Sequence, residues 1–371
     1  MTCDGNEFAL RMFRELRSPP GNLVFSGASL RSALGIAYLG ARGETAMEMM
    51  QALAFAPDVG AAADEAKMER VSWERLGNPY TELRVANRLW TDRRYPLEAD
   101  FIHLAEDAYG APLDTVDFSD PDAAGRTIND WVAQQTRDRI LGVLPTGSID
   151  GLTRLVVTNA VYLKAGWRWP FAKQATRDES FHVDVTTTRK VPMMHQTETH
   201  PIAVVPEAKI LALPYRGDLR MVVVLPEDPS GLATIEAGLS TDTFEQWTDA
   251  LREEPVHVSL PKFTFEWAGT MRAPLEALGM HAAFSGRADF SGIVDTEGDP
   301  PCIDLVRHPA LIEVDELGTE AAAAAGVMVQ MASRRAEPRP IAFTADHPFL
   351  FFICDSTSGR ILFAGRVATP G

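Results

Sequence analysis

The spacing of apolar residues changes character once along this chain, and that change restricts the possible folds more than any local motif. Over the first 140 residues apolar positions recur at helical intervals: Phe8, Met12, Phe13 and Leu16 share one face, and Leu30, Leu34, Ala37 and Tyr38 repeat the spacing until Gly40 and Gly43 interrupt it. An amphipathic run from Asp122 to Arg139, with Ile128, Trp131, Val132 and Ile140 on one side, precedes a turn at Leu144-Pro145-Thr146-Gly147. Beyond it come β-branched and aromatic runs: Leu155–Leu163, Ile210–Leu213, Arg220–Leu225, Val256–Phe265, Ile303–Val314 and Phe349–Ile353. Helices first and strands afterwards predict an α+β fold.

At 371 residues the length alone allows two or three domains of about 150 residues. No low-complexity linker and no repeat divides the chain, so residues 1–371 are expected to form one folded unit. Acidic residues outnumber basic ones, 51 to 35, and the resulting charge of −16 repels polyanions over most of the surface, so no nucleic-acid partner is expected. Apolar stretches such as Met221–Leu225 and Phe349–Cys354 fall far short of the roughly 18–20 residues of a membrane span, so no membrane partner is expected. The start, Met1-Thr2-Cys3-Asp4, shows no basic or apolar signal region. Cys3, Cys302 and Cys354 have no CxxC spacing and are expected to be free buried thiols.

The eight histidines contain no HExxH pair; His195 and His200, the nearest approach to one, read as part of a polar surface loop. No metal and no cofactor are expected. Neither a phosphate-binding GxxxxGK[ST] loop nor a GxGxxG after a strand occurs. Gly27-Ala28-Ser29 fails as a nucleophile elbow because Arg31 stands where the second glycine belongs. No catalytic residue is assigned, and the chain does not read as an enzyme.

One segment fits neither texture. After Gly318-Thr319-Glu320 come Ala321, Ala322, Ala323, Ala324 and Ala325, followed by a stretch to residue 340 with Gly326, two prolines and three arginines. Propensity alone makes the alanines a helix capped by Thr319, but that helix has no large apolar face to bury. So long a connection is rare in a compact domain without a functional reason, which marks 318–340 as the working part.

Blocks in a fixed order along the chain carry a resemblance. They include Asn22-Leu23-Val24-Phe25-Ser26 with Ser29 and Leu30, Asn159-Ala160-Val161-Tyr162-Leu163-Lys164 with Trp167 and Phe171, Leu213-Pro214-Tyr215, Leu260-Pro261-Lys262-Phe263, His308 ten residues before Gly318, and His347-Pro348-Phe349 with Phe363-Ala364-Gly365-Arg366. Together with Glu316-Leu317-Gly318-Thr319-Glu320 and the alanines, they resemble the serpins, protease inhibitors that act by a conformational trap, from about Phe8 to Val367. One departure is Gly27, where the family usually has proline.

The resemblance implies an α+β fold with a helix-rich N-terminal part, three β-sheets and an exposed reactive-centre loop at about 316–340. It implies a hinge at Glu316, Gly318, Thr319, Glu320 and Ala321–Ala325, shutter and breach residues Ser26, Ser29, Asn159, Trp167, Lys262 and His308, and a pairing of Glu316 with Lys262. The family's cleaved residue usually lies fourteen beyond the hinge glycine, which gives the bond Ala332–Ser333 and an elastase-like or subtilisin-like target. A register longer by two or three residues makes Arg334 or Arg335 the bait of a trypsin-like protease. The expected partner is that serine protease, held covalently to a monomeric inhibitor. Arg70, Arg75, Arg84 and Arg88 are scattered among acids, so no glycosaminoglycan cofactor is expected. The family resemblance implies an extracellular setting, with a cytoplasmic one as the alternative because no signal is visible. A non-inhibitory serpin acting as chaperone, carrier or storage protein is the alternative function. Six lysines against 29 arginines, with many alanines, point to a GC-rich, bacterial genome.

Overall fold

The computed structural model describes residues 4–18, 20–110, 113–294, 301–319 and 339–370. The first part supplies α1 (Asp4–Leu16), β1 (Leu23–Phe25), α2 (Gly27–Gly40), α3 (Gly43–Leu53), α4 (Val59–Leu76), β2 (Thr81–Asp92), α5 (Ala99–Tyr109), β3 (Leu113–Val116) and α6 (Pro121–Gln135). Side chains fix where several helices begin: Ser26, Asp58 and Asp120 accept from the backbone N–H three residues on. Helix α2 is buried along its whole length, as a helix without a polar face must be. Its first residue, Gly27, explains the departure from the family's proline, because a Cβ there would lie 2.8 Å from the Ala9 Cα in α1.

The second part supplies β4 (Leu155–Gly166), β5 (Arg177–His182), β6 (Thr188–Val204), β7 (Ala208–Pro214), β8 (Leu219–Pro226), α7 (Leu232–Ala237), α8 (Thr241–Asp249), β9 (Arg252–Pro261), β10 (Phe263–Thr270), α9 (Arg272–Ala277), β11 (Leu305–Asp315), β12 (Gly318–Thr319), β13 (Ile341–Thr344), β14 (Phe349–Asp355) and β15 (Ile361–Val367). The α+β class is as expected. Strand β2 interrupts the helical first part, and the run Val256–Phe265 is two strands meeting at Lys262.

By continuous hydrogen bonding the strands form a six-stranded sheet, β10-β11-β12-β4-β2-β3, and a nine-stranded one, β1-β15-β14-β8-β7-β6-β9-β13 with β5 on β6. The third set implied by the resemblance is β5, β6, β9 and β13, joined to β7 by the short ladder Ile202↔Leu211 to Val204↔Lys209. One apolar core lies among α1, α2, α3 and the strands beneath them, including Phe8, Phe13, Leu34 and Phe352. Another lies between the sheets, where Trp167, Tyr215, Phe263, Phe349 and Phe351 are buried. Phe25, Trp167, Phe263 and Phe349, core aromatics in the sequence, are all at most 2% exposed.

Candidate functional site

The six-stranded sheet has one weak seam. Strand β4 pairs with β2 over eleven residues and β10 with β11 over eight, whereas β4 and β11 share only Leu305↔Val156, Val306↔Val157, Arg307↔Thr158 and Ala310↔Val161. Above Ala310 the two strands part, and β12 stands between them. Thr319 pairs with Val314 on one side and Ala165 on the other, antiparallel to both. The chain that begins at 318 therefore already occupies the head of a gap in the sheet.

Its entry requires glycine. Gly318 has φ +151°, and a Cβ there would meet the Ala165 carbonyl oxygen at 2.1 Å. The turn before it is fixed by Asp315, whose Oδ1 accepts from the N–H groups of Leu317 and Gly318 at 2.8 and 3.2 Å. Trp167 closes the other side: its indole N–H donates to the Asp315 carbonyl at 3.0 Å and its ring stacks on Tyr215 at 4.4 Å. The Tyr215 hydroxyl lies 2.6 Å from Thr319 Oγ1, with both residues buried. Burial pushes the Tyr215 phenol above its ordinary range, so the hydroxyl keeps its proton.

Glu316 does pair with Lys262, at 2.8 Å, and its other oxygen accepts from the Thr176 hydroxyl at 2.8 Å. The carboxylate is only 6% exposed, so this is no surface pair of negligible worth. Burial pushes its pKa up, but the hydrogen bonds from Lys262 and Thr176 outweigh it and hold Glu316 below the usual carboxylate range. Lys262 reaches it because it sits at the β9–β10 junction.

Halfway down the seam lies a second network, buried except at its Asn87 edge. His308 of β11 and Asn159 of β4 are hydrogen bonded across the interval in which their backbones do not pair. The Ser26 N–H donates to His308 Nε2 at 3.0 Å, so Nδ1 carries the proton and donates to Asn159 Oδ1. The Asn159 amide in turn donates to Ser29 Oγ and to Asn87 of β2. Desolvation holds His308 neutral, with its pKa lowered to about 3.

Thus Glu316, Gly318, Thr319, Trp167 and Lys262 meet at the head of the seam, and Ser26, Ser29, Asn159 and His308 meet in its middle. Glu320, Ala321–Ala325, Ala332, Ser333, Arg334 and Arg335 lie outside the described residues. Tyr215, Thr176, Asp315 and Asn87 belong to the site, and of these only Tyr215 is part of a family-like sequence block, Leu213-Pro214-Tyr215. His195 and His200 do not lie in a polar loop: both are buried in β6, where His195 Nδ1 meets Ser259 at 3.0 Å and His200 packs edge-on against Trp169. Polar residues and prolines in β6 disguised the alternation that buries them. Among the described residues no group of three or more His, Cys, Asp or Glu is placed to hold a metal ion. Cys302 and Cys354 are free thiols, the first half-buried and the second buried.

A family model described as "Serpin (serine protease inhibitor)" matches residues 4–370. A leukocyte elastase inhibitor of Bos taurus is 37% identical over all of this chain and 99% of its own length. A serpin-like protein of Thermococcus kodakarensis is 40% identical over 98% of this chain and 84% of its own length. The crystal structure of Serpin48 of the insect Tenebrio molitor superposes with a TM-score of 0.89 at 32% identity, covering 99% of this chain and 97% of that one. These similarities lend no support to an extracellular setting, and among the described residues no helix is long and apolar enough to cross a membrane.

Proposed function

The chain belongs to the serpin family, whose members are mostly protease inhibitors, and from that premise we propose that it is a suicide-substrate inhibitor of serine proteases. The observation that carries this is the seating of Gly318 and Thr319 between β4 and β11, because the register fixes what insertion of the rest would require. Extended downward, that register would put Ala321, Ala323 and Ala325 on the Thr319 face, level with Leu163, Val161 and Asn159 of β4 and with Ile312, Ala310 and His308 of β11. All six neighbours are at most 4% exposed, so only small side chains fit.

The alternate positions face the other side. Ala324 would lie level with Ala160, which is packed under Val132, Ile140 and Val143 around the end of α6. Both faces of the sheet are covered at that depth, which accounts for an uninterrupted run of five alanines where one covered face would ask only for alternation. Glu320 is the exception, level with Lys164 near the open end of the seam.

In this mechanism the protease serine attacks the Ala332 carbonyl and forms an acyl-enzyme, with Ser333 as the new N-terminus of the released segment. About 12 residues then enter the seam, roughly 40 Å of strand at about 3.3 Å each, and carry the protease with them before water completes hydrolysis. The chain supplies no catalytic group. Ala332 suits elastase-like or subtilisin-like enzymes, Arg334 or Arg335 trypsin-like ones.

Mixing the protein with elastase, subtilisin, chymotrypsin and trypsin is expected to give a denaturant-stable complex and a released peptide beginning at Ser333. A peptide beginning at Ala336 would move the bait to Arg335. Cleavage within 320–338 without any complex would favour the chaperone, carrier or storage function instead.

A further inference from the structure

Beside the head of the seam lies an open cavity of about 590 Å³, walled by Tyr80, Glu82, Arg84, Lys164, Trp167 and Arg216. Its charge runs against that of the molecule: three cations face one carboxylate on a protein of net charge −16. The carboxylate is already committed, since Glu82 Oε1 holds Arg84 Nε at 2.5 Å and a terminal nitrogen of Arg137 at 2.8 Å. The Arg216 guanidinium has no carboxylate partner among the described residues; its Nε donates to the Trp167 carbonyl at 3.3 Å, and its carbon lies 4.8 Å from the Tyr80 ring centre. The Lys164 ammonium, across the ladder from Glu82, has neither a hydrogen-bond nor an ion-pair partner among the described residues. Tyr80 is 53% exposed. Two positive groups outside any ion pair, Lys164 and Arg216, beside an aromatic residue more than half exposed are what an anion with an aromatic ring would bind.

We propose that this cavity binds a small aromatic anion in the uncleaved protein, with the anionic group on Lys164 and Arg216 and the ring against Tyr80, and that the bound anion slows loop insertion. The coupling, though not the binding, rests on the inhibitory function proposed above. Gly166 and Leu317 also line the cavity, and Gly318 pairs with Gly166, so the ligand sits where β12 must lengthen along β4. It would occupy the Lys164 ammonium that stands level with Glu320 in the extended register.

Phenyl phosphate, with inorganic phosphate and phenol as controls, tests this by titration calorimetry on the intact protein. Phenyl phosphate is expected to bind saturably, at least about ten-fold more tightly than either control. Lys164→Gln should weaken it about ten-fold or more, Lys164→Arg should retain it, and Tyr80→Ala should weaken phenyl phosphate while leaving inorganic phosphate unchanged. Absence of saturable binding, or equal affinity in Lys164→Gln, overturns the site. In the inhibition assay, saturating phenyl phosphate should raise the number of inhibitor molecules consumed per protease trapped, with protease activity on a small substrate as control. An unchanged number, in a protein that does form the complex, overturns the coupling. Failure to form any complex removes the inhibitory function, while the titration still decides the site.

Discussion

Tyr215 shows how much a single hydroxyl contributes at the head of the seam. Its bond to Thr319 is buried, and removing one partner leaves the other unpaired at a cost of about 1–3 kcal/mol. Tyr215→Phe keeps the stack on Trp167 and loses only that bond. The hinge is then expected to leave its seat more often, which hydrogen exchange at the Gly318 and Thr319 amides would register as loss of protection; unchanged exchange would mean the backbone pairing alone holds the hinge. Buried histidines set the response to acid. Among the described residues neither ring nitrogen of His200 has a hydrogen-bond partner, and desolvation lowers its pKa to about 4, as it lowers that of His308 to about 3. An unfolded histidine titrates near about 6.5, so below that pH the unfolded chain binds protons that the folded chain refuses. Stability is full above about pH 6.5 and falls as the pH drops toward 4. His200→Phe removes one such group and should flatten the dependence by up to about 1.4 kcal/mol per pH unit, measured by urea denaturation between pH 4 and 7.

At the scale of elements, the seam between β4 and β11 makes different demands on its two faces, and two substitutions separate them. Thr319→Arg brings a charge against Tyr215 on the inner face; Ala324→Glu brings one against Val132 and Ile140 on the outer. The arginine at 319 would be expelled from the seat that Thr319 already fills and would oppose the hinge's return, and the glutamate at 324 would bury an unpaired charge on insertion, so each should convert an inhibitor into a substrate, read on a gel as cleavage without complex. If Ala324→Glu inhibits like wild type, the insertion stops short of α6. What the sequence disclosed about these elements follows the same physics. Strand β4 is a continuous apolar run because both its faces are covered, so it was plain; β2 carries Arg84, Asn87 and Arg88 between its apolar residues and lay hidden among helices. The family blocks led to Trp167, Lys262, Asn159 and His308, yet Thr176 and Asp315 are polar residues of common type whose roles exist only once the turn at 315–318 is folded. Asn87 likewise joins the His308 network only through the β2–β4 register.

For the whole molecule the consequence is a native sheet that is incomplete. Strands β4 and β11 are joined by four backbone pairs, a two-residue wedge and the Asn159–His308 link, where the neighbouring ladders run for eight and eleven pairs. Filling the seam replaces that weak contact with ladders on both edges of a new strand. At a net gain near 1 kcal/mol per backbone hydrogen bond, about a dozen residues would contribute on the order of 10 kcal/mol. Opening the seam breaks the Asn159–His308 bond and leaves Asn159 Oδ1 and the His308 Nδ1–H to find new partners, while the Asn159 NH2 group keeps Ser29 and Asn87, both away from β11. A nick in a polypeptide ordinarily leaves a protein no more stable than before. Here, cleavage between 320 and 338 is expected to raise the thermal midpoint by at least about 10 °C. Calorimetry of intact and cleaved protein decides it: a midpoint that stays or falls would mean that the seam remains empty after cleavage, and the chain would then lack the energy source that a conformational trap requires.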